Sequence, residues 1–174
     1  MNSRILVNEL REDEFDALGA LMVEVYAGLP GFPGKAEQPR YYEMLANIGS
    51  FNEKAGVQVL VAHSQKSELQ GGVVYFSDMA QYGSGGTATA ERNAAGIRLL
   101  AVSPRFRGQG VGKALTLACI ERATGAGMSQ VILHTTDAMK TAWTLYEGLG
   151  FARSRDLDFN QEGLPVYGFR LPLM

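Results

Sequence analysis

Three glycines, Gly108, Gly110 and Gly112, stand at alternate positions in "RFRGQGVGKAL", between an apolar run and a helical pattern. Alternating glycines cost backbone entropy on folding, so bare backbone is needed there. A glycine turn that opens a helix presents unpaired N–H groups, and the helix dipole adds positive potential at the same point. Arg105, Arg107 and Lys113 surround it. Residue types and spacing together describe a cradle for a phosphate or pyrophosphate; the bland alternative is a tight turn without a ligand. Two common phosphate loops do not match. G-x-x-x-x-G-K-S/T needs one more residue between Gly108 and Gly112, and Ala114 stands where its hydroxyl belongs. G-x-G-x-x-G needs a third glycine where Lys113 stands. Other chemistry is sparse. His63, His134 and Cys119 show no metal-ligand spacing, so no metal is expected. Cys119 falls mid-helix among apolar residues and reads as packing rather than a nucleophile.

The elements that must hold this turn follow from hydrophobic period. Arg4 to Leu10 reads as a strand. Phe15, Leu18, Met22, Val25 and Tyr26 recur at helical spacing behind the acidic first turn Glu12, Asp13, Glu14. "GLPGFPG" is a loop, and Pro39 opens a second helix with Tyr41, Met44, Leu45 and Ile48 on one face. Val57–Ala62 and Gly71–Phe76 form a hairpin, and Gln81 to Asn93 is a small-residue loop. "AGIRLLAVS" is the strand that the glycines end. The next helix carries Val111, Ala114, Leu115 and Ala118 inward. "SQVILHT" is a strand, and "DAMKTAWTLYEGLG" is a helix with Ala138, Ala142, Leu145 and Leu149 inward. Strands around Phe151 to Phe159 and Val166 to Leu171 follow. The expected fold is α+β: a mixed sheet of about seven strands flanked by about four helices, one domain over 1–174. The strand-helix-strand unit from Gly96 to Thr135 requires a parallel pair.

"RGQGVG" (Arg107 to Gly112) resembles the pyrophosphate loop of the GNAT superfamily of N-acetyltransferases, Gln/Arg-x-x-Gly-x-Gly/Ala. "TAWTLYEGLGF" (Thr141 to Phe151) resembles the family's late helix and following strand. The resemblance is densest over Gly96 to Phe151. It implies acetyl-CoA as co-substrate, with its pyrophosphate on Arg107, Gly108, Gln109, Gly110, Val111, Gly112 and Lys113. Its pantetheine arm would lie along the backbone of Leu100, Ala101 and Val102. An N–H near Ala101 or Val102 would hold the developing oxyanion. Tyr146 of the Leu-Tyr pair would protonate the leaving thiolate. Direct attack by an amine in a ternary complex is the implied mechanism, and a homodimer is compatible with it.

The chain also departs from that pattern. Many family members carry a glutamate two residues before the position of Arg98, and Gly96 stands there. Glu91, His134 and a water relay remain open as the base. Met139 replaces an asparagine that often touches pantetheine, and the Met139–Ala142–Trp143–Tyr146 face would wall the channel. Arg98, expected to alternate with Leu100 and share the face of Gly96, is a surface or salt-bridged residue or a contact for a substrate carboxylate. Phe32, Tyr41 and Tyr42 line an acceptor pocket or belong to the core. The missing glutamate leaves a non-catalytic acyl-CoA sensor as the alternative to an N-acetyltransferase, and an unrelated nucleotide-binding domain as a third reading.

Composition limits the partners. The 174 residues are 46% hydrophobic with a formal net charge of -2, which points away from nucleic acid. No stretch is long and apolar enough for a signal peptide core or a membrane span. A single cysteine allows no internal disulfide, which suits a cytoplasmic setting. The expected acceptor is a small-molecule amine.

Overall fold

The computed structural model describes residues 4–173. β1 (Leu6–Glu9) leads to α1 (Phe15–Ala27) and α2 (Pro39–Ala46), then to β2 (Val57–His63), β3 (Leu69–Phe76) and β4 (Ala94–Val102). α3 (Val111–Gly125) crosses to β5 (Gln130–Thr135), and α4 (Lys140–Gly148), β6 (Ala152–Arg153), β7 (Phe159–Gln161) and β8 (Leu164–Pro172) follow. The sheet order is β1-β2-β3-β4-β5-β8-β6, with β7 paired to β8. β4 and β5 are parallel, joined by the α3 crossover, while the other pairs are antiparallel.

Strand alternation divides the interior into two layers. Val59 and Val61 of β2 face Leu18, Met22 and Leu45 of α1 and α2, whereas Leu60 and Ala62 face the layer of Leu115 and Cys119 on α3. The buried stripe of α3 is Val111, Leu115, Cys119 and Ala123, each four residues apart. Ala114 and Ala118 flank that stripe and are only partly buried.

Two expectations about the strands change. The strand around Phe151 to Phe159 is broken by a tight turn at Arg155–Leu157, giving eight strands. The break has a cause. Arg153 grips Asp158 through two 2.9 Å hydrogen bonds, and Leu157 is buried against Gly168, where a Cβ would stand 2.3 Å from its own. The second change is in β4. Its register with β3 skips between Gly72 and Val74, so Leu99 and Leu100 together oppose Val73 in a bulge. Leu99 takes φ +60, a left-handed conformation that is costly for leucine. The extra residue reverses the alternation. Leu99 and Ala101 pack on the α1 side, while Leu100 and Val102 pack on the α3 side. Leu100 therefore does not share the face of Arg98 and Gly96.

Candidate active site

β4 and β5 pair only from Ala94↔Gln130 to Ile97↔Leu133. Beyond that point β4 runs on to Val102 beside β3, and β5 runs on to Thr135 beside β8. The two strands separate, and the β4 edge from Arg98 to Val102 is left without a β5 partner. The Tyr26 hydroxyl donates to Leu100 O at 3.1 Å and ties the bulge to α1. The gap between the strands is part of a cavity of about 1020 Å³ that runs from the glycine turn to the α1–α2 aromatic wall.

The glycine turn forms one end. Gly108 (φ +76) and Gly110 (φ +87) adopt left-handed conformations, and no atom lies within 4 Å of where their Cβ atoms would be. The bare backbone thus faces open space rather than protein. Gly110 is the N-cap of α3, with no side-chain cap. The N–H groups of Val111, Gly112 and Lys113 consequently have no intrahelical carbonyl to bond. Arg107, Gly108, Gly110, Val111, Gly112 and Lys113 line the cavity. Gln109 is exposed at the tip of the turn and lies outside that lining.

Further in, Leu100, Val102, Met139, Ala142, Leu145 and Tyr146 line the gap. Ala101 turns its methyl group to the α1 layer, so it can offer the cleft only backbone. Trp143 is not part of the lining. Its Nε1–H donates to Thr136 O at 3.0 Å, and its ring packs on Tyr167 and Phe169. Tyr146 is buried, with its ring on Phe151 at 5.8 Å, and burial raises its hydroxyl well above the usual value near 10. It is therefore a proton donor across the neutral range. Thr135, the last residue of β5, and Thr136 after it belong to the same lining, and both hydroxyls are buried without a partner among the described residues. Sequence reasoning did not single them out; paired threonines ending a strand beside a gap were the available signal.

These features fit a coenzyme A thioester: bare N–H groups and cations for a pyrophosphate, a free strand edge for an amide-bearing arm, and orphaned hydroxyls beside it.

The position of the absent glutamate is filled by another chain segment. A Cβ on Gly96 would meet the Tyr82 ring at 2.5 Å and Met79 Sδ at 2.8 Å. Tyr82 is completely buried and, with Ala88, pins the 81–93 loop. Its hydroxyl donates to His134 Nδ1 at 2.9 Å, since His134 Nε2–H donates to Leu157 O at 2.9 Å. Gly96→Ala is expected to destabilise the fold by roughly 1–3 kcal/mol through overpacking, read from denaturant melts.

His134 lines the cavity, and burial pulls its pKa below the usual 6.5, with Arg98 lowering it further and Asp158 opposing. Unfolded chains take up this proton as pH falls through about 6.5, and the folded chain does so only at lower pH. The stability contribution is full above pH ~6.5 and is lost as pH falls to the depressed value. The wild type should therefore lose more melting temperature than His134→Gln between pH 7.5 and 5. Glu91 is held elsewhere: it pairs with Arg170 at 2.7 Å and does not line the cavity. Cys119 is buried, its thiol pushed up to about 12, so it supplies no nucleophile. Among the described residues no group of three or more His, Cys, Asp or Glu could hold a metal ion, and no helix is long and apolar enough to cross a membrane.

The far end of the cavity is aromatic. Tyr26, Phe32 and Tyr41 meet with ring centroids 5.6 to 6.0 Å apart, and Phe32 and Tyr41 line the space. Tyr42 instead is buried, donating to Pro33 O at 2.7 Å, and is core. Arg98 lines the cavity between this wall and His134.

A mixed sheet whose one parallel pair separates beside a glycine-capped helix defines the acyl-CoA-transferring class of α+β folds, and the comparisons agree. The model of the acetyltransferase (GNAT) family matches residues 22–151, and the chain belongs to that family. The GNAT-family acetyltransferase of Staphylococcus aureus Mu50 superposes with a TM-score of 0.75 at 17% identity, over 98% of this chain and 100% of that one. The PaiA N-acetyltransferase of Thermoplasma acidophilum, solved in complex with coenzyme A, gives 0.72 at 16%, over 98% and 99%. Closer sequence likeness is local. A mycothiol acetyltransferase of Thermobispora bispora is 42% identical over 57 residues, 33% of this chain and 19% of that protein. N-acetyltransferase 8B of Mus musculus is 42% identical over 55 residues, 32% of this chain and 24% of its own length.

Proposed function

We propose that this protein moves an acetyl group from acetyl-CoA to a primary amine on a small molecule, by direct attack in a ternary complex. The observation that carries the reading is the cavity itself. One space joins the glycine cradle, the free β4 edge, Tyr146 and an aromatic wall. Bound acetyl-CoA would supply the thioester carbonyl as electrophile. The chain's own groups do the rest. The α3 N-terminus, Arg107 and Lys113 hold the pyrophosphate, and the Leu100–Val102 backbone and the Thr135 and Thr136 hydroxyls hold the arm. A backbone N–H of the β4 edge stabilises the developing oxyanion.

Tyr146 donates its proton to the departing sulfur. In water a phenol is a weaker acid than a thiol, by about 1.5 pKa units. The same burial that raises Tyr146 also raises a thiolate held beside it, as it raises Cys119. The amine proton leaves through a water relay, because both His134 nitrogens are engaged, Nδ1 by the buried Tyr82 hydroxyl and Nε2 by Leu157 O. The small-molecule acceptor rests on the aromatic wall of Phe32 and Tyr41 in the same cavity. The relatives' printed acceptors are not carried over, because the matches span about a fifth to a quarter of those proteins. A chain with one buried cysteine suits a reducing, cytoplasmic compartment.

The Tyr82 ring in the place of the family glutamate favours a second reading, a non-catalytic acyl-CoA sensor on the same fold. Amine-dependent release of CoA thiol separates the two. Turnover with any member of a primary-amine panel supports catalysis. Tight acetyl-CoA binding with no turnover across the panel favours the sensor.

A further inference from the structure

Arg98 stands on β4 one residue past the last β4–β5 pair, at the point where the cleft opens. It is partly buried in the cavity wall. Its Nη1 donates to Tyr82 O at 2.9 Å, and the guanidinium lies 6.0 Å from the Tyr82 ring centroid. Gly83 leaves it room, since a Cβ there would be 3.2 Å from Nη1. No carboxylate of a described residue comes within 4.0 Å of it. A guanidinium has five N–H donors in a planar fork, and the single bond to Tyr82 leaves most of them unused. A half-buried cation without an anion is unfavourable, so a site that keeps one is suited to an anion from outside.

The surroundings narrow the ligand. Arg98 is close enough to Tyr26, Tyr41, Tyr82 and His134 to influence each of them. Arg40 and Lys54 also line this half of the cavity, and its one acid, Glu162, is bonded to Gln38. The local field is positive and the adjoining wall, Phe32 and Tyr41, is aromatic. Only Leu99, in the bulge, separates Arg98 from Leu100, so Arg98 stands beside the unpaired β4 edge.

We propose that Arg98 receives the carboxylate of the acceptor, so that the preferred substrates are amines of the amino-acid class with an apolar side chain against the Phe32–Tyr41 wall. The assignment rests on the acetyl-transfer reading above. Bidentate, charge-assisted pairing at Arg98 would orient the amine along the β4 edge.

Matched acceptors test it. L-phenylalanine is compared with phenethylamine and phenylalaninamide, and L-leucine with isopentylamine, by kcat/KM for CoA release. The wild type should favour the carboxylate member by roughly tenfold to a hundredfold. In Arg98→Ala and Arg98→Gln that ratio should collapse towards one, with Arg98→Lys keeping part of it. Acetyl-CoA titration of each variant reports folding. In parallel, N-acetylphenylalanine is titrated into CoA-saturated protein, where binding should be lost with Arg98. A wild-type ratio near one, or a ratio that survives in a variant still binding acetyl-CoA, overturns the Arg98 assignment and leaves acetyl transfer standing. No turnover with Arg98-dependent binding of N-acetylphenylalanine upholds the carboxylate site and overturns acetyl transfer. No turnover and no such binding overturns both.

Discussion

Gly110→Asp is expected to weaken acetyl-CoA binding by about a hundredfold while leaving the melting temperature near that of the wild type. The two halves of this prediction have different causes. Gly110 caps α3 in a left-handed conformation, with open space where its Cβ would be. Aspartate is among the few residues that adopt that conformation at modest cost, and its charge at the positive helix end offsets part of it. The helix thus keeps its start. The new carboxylate, however, would take the N–H groups and the positive helix end on which the pyrophosphate depends. Charge-assisted hydrogen bonds are each worth about 1.5–3 kcal/mol, and repulsion between two anions adds to their loss. A total near 3 kcal/mol is roughly a hundredfold in affinity. Gly110→Asn, with the same shape and no charge, should lose far less. Calorimetric titration of both variants measures the difference; equal losses would mean that the turn matters through shape alone.

Tyr146→Phe is expected to lower kcat tenfold or more with little change in acetyl-CoA affinity. The ring should stay on Phe151, and the folded state gives up no intramolecular hydrogen bond, because the hydroxyl has no partner among the described residues. Stability should therefore hold or rise. Since burial keeps the phenol protonated well past pH 10, Tyr146 contributes no alkaline limb to kcat in the usual assay range. A phenylalanine variant as fast as the wild type would remove the acid role and leave departure of the thiolate to solvent.

The parts of the site legible in the sequence are those written locally. The glycine turn and its flanking cations occupy nine consecutive residues, Arg105 to Lys113, and spacing alone describes them. The Leu-Tyr pair on the late helix is equally local, and the α3 crossover demands the parallel pair that then separates. What escaped depends on contacts distant in sequence. The Leu99 bulge arises from registration against β3, and one extra residue moved Leu100 to the opposite face from Arg98. Tyr82 reaches across to occupy the space over Gly96, which no local pattern reports. The Arg153–Asp158 grip, which splits one expected strand into two, depends on the buried fit of Leu157 over Gly168. Glu91 lies just before β4 in the sequence, yet it is paired with Arg170 of β8 and is not part of the cavity lining.

The most direct test of the central claim is calorimetric titration of the purified protein with acetyl-CoA, with ATP and NAD as controls. The cleft between β4 and β5 predicts one acetyl-CoA site per chain and no comparable binding of either control. No binding of acetyl-CoA, or binding of ATP or NAD in its place, would contradict the assignment of the glycine turn and the mechanism built on it.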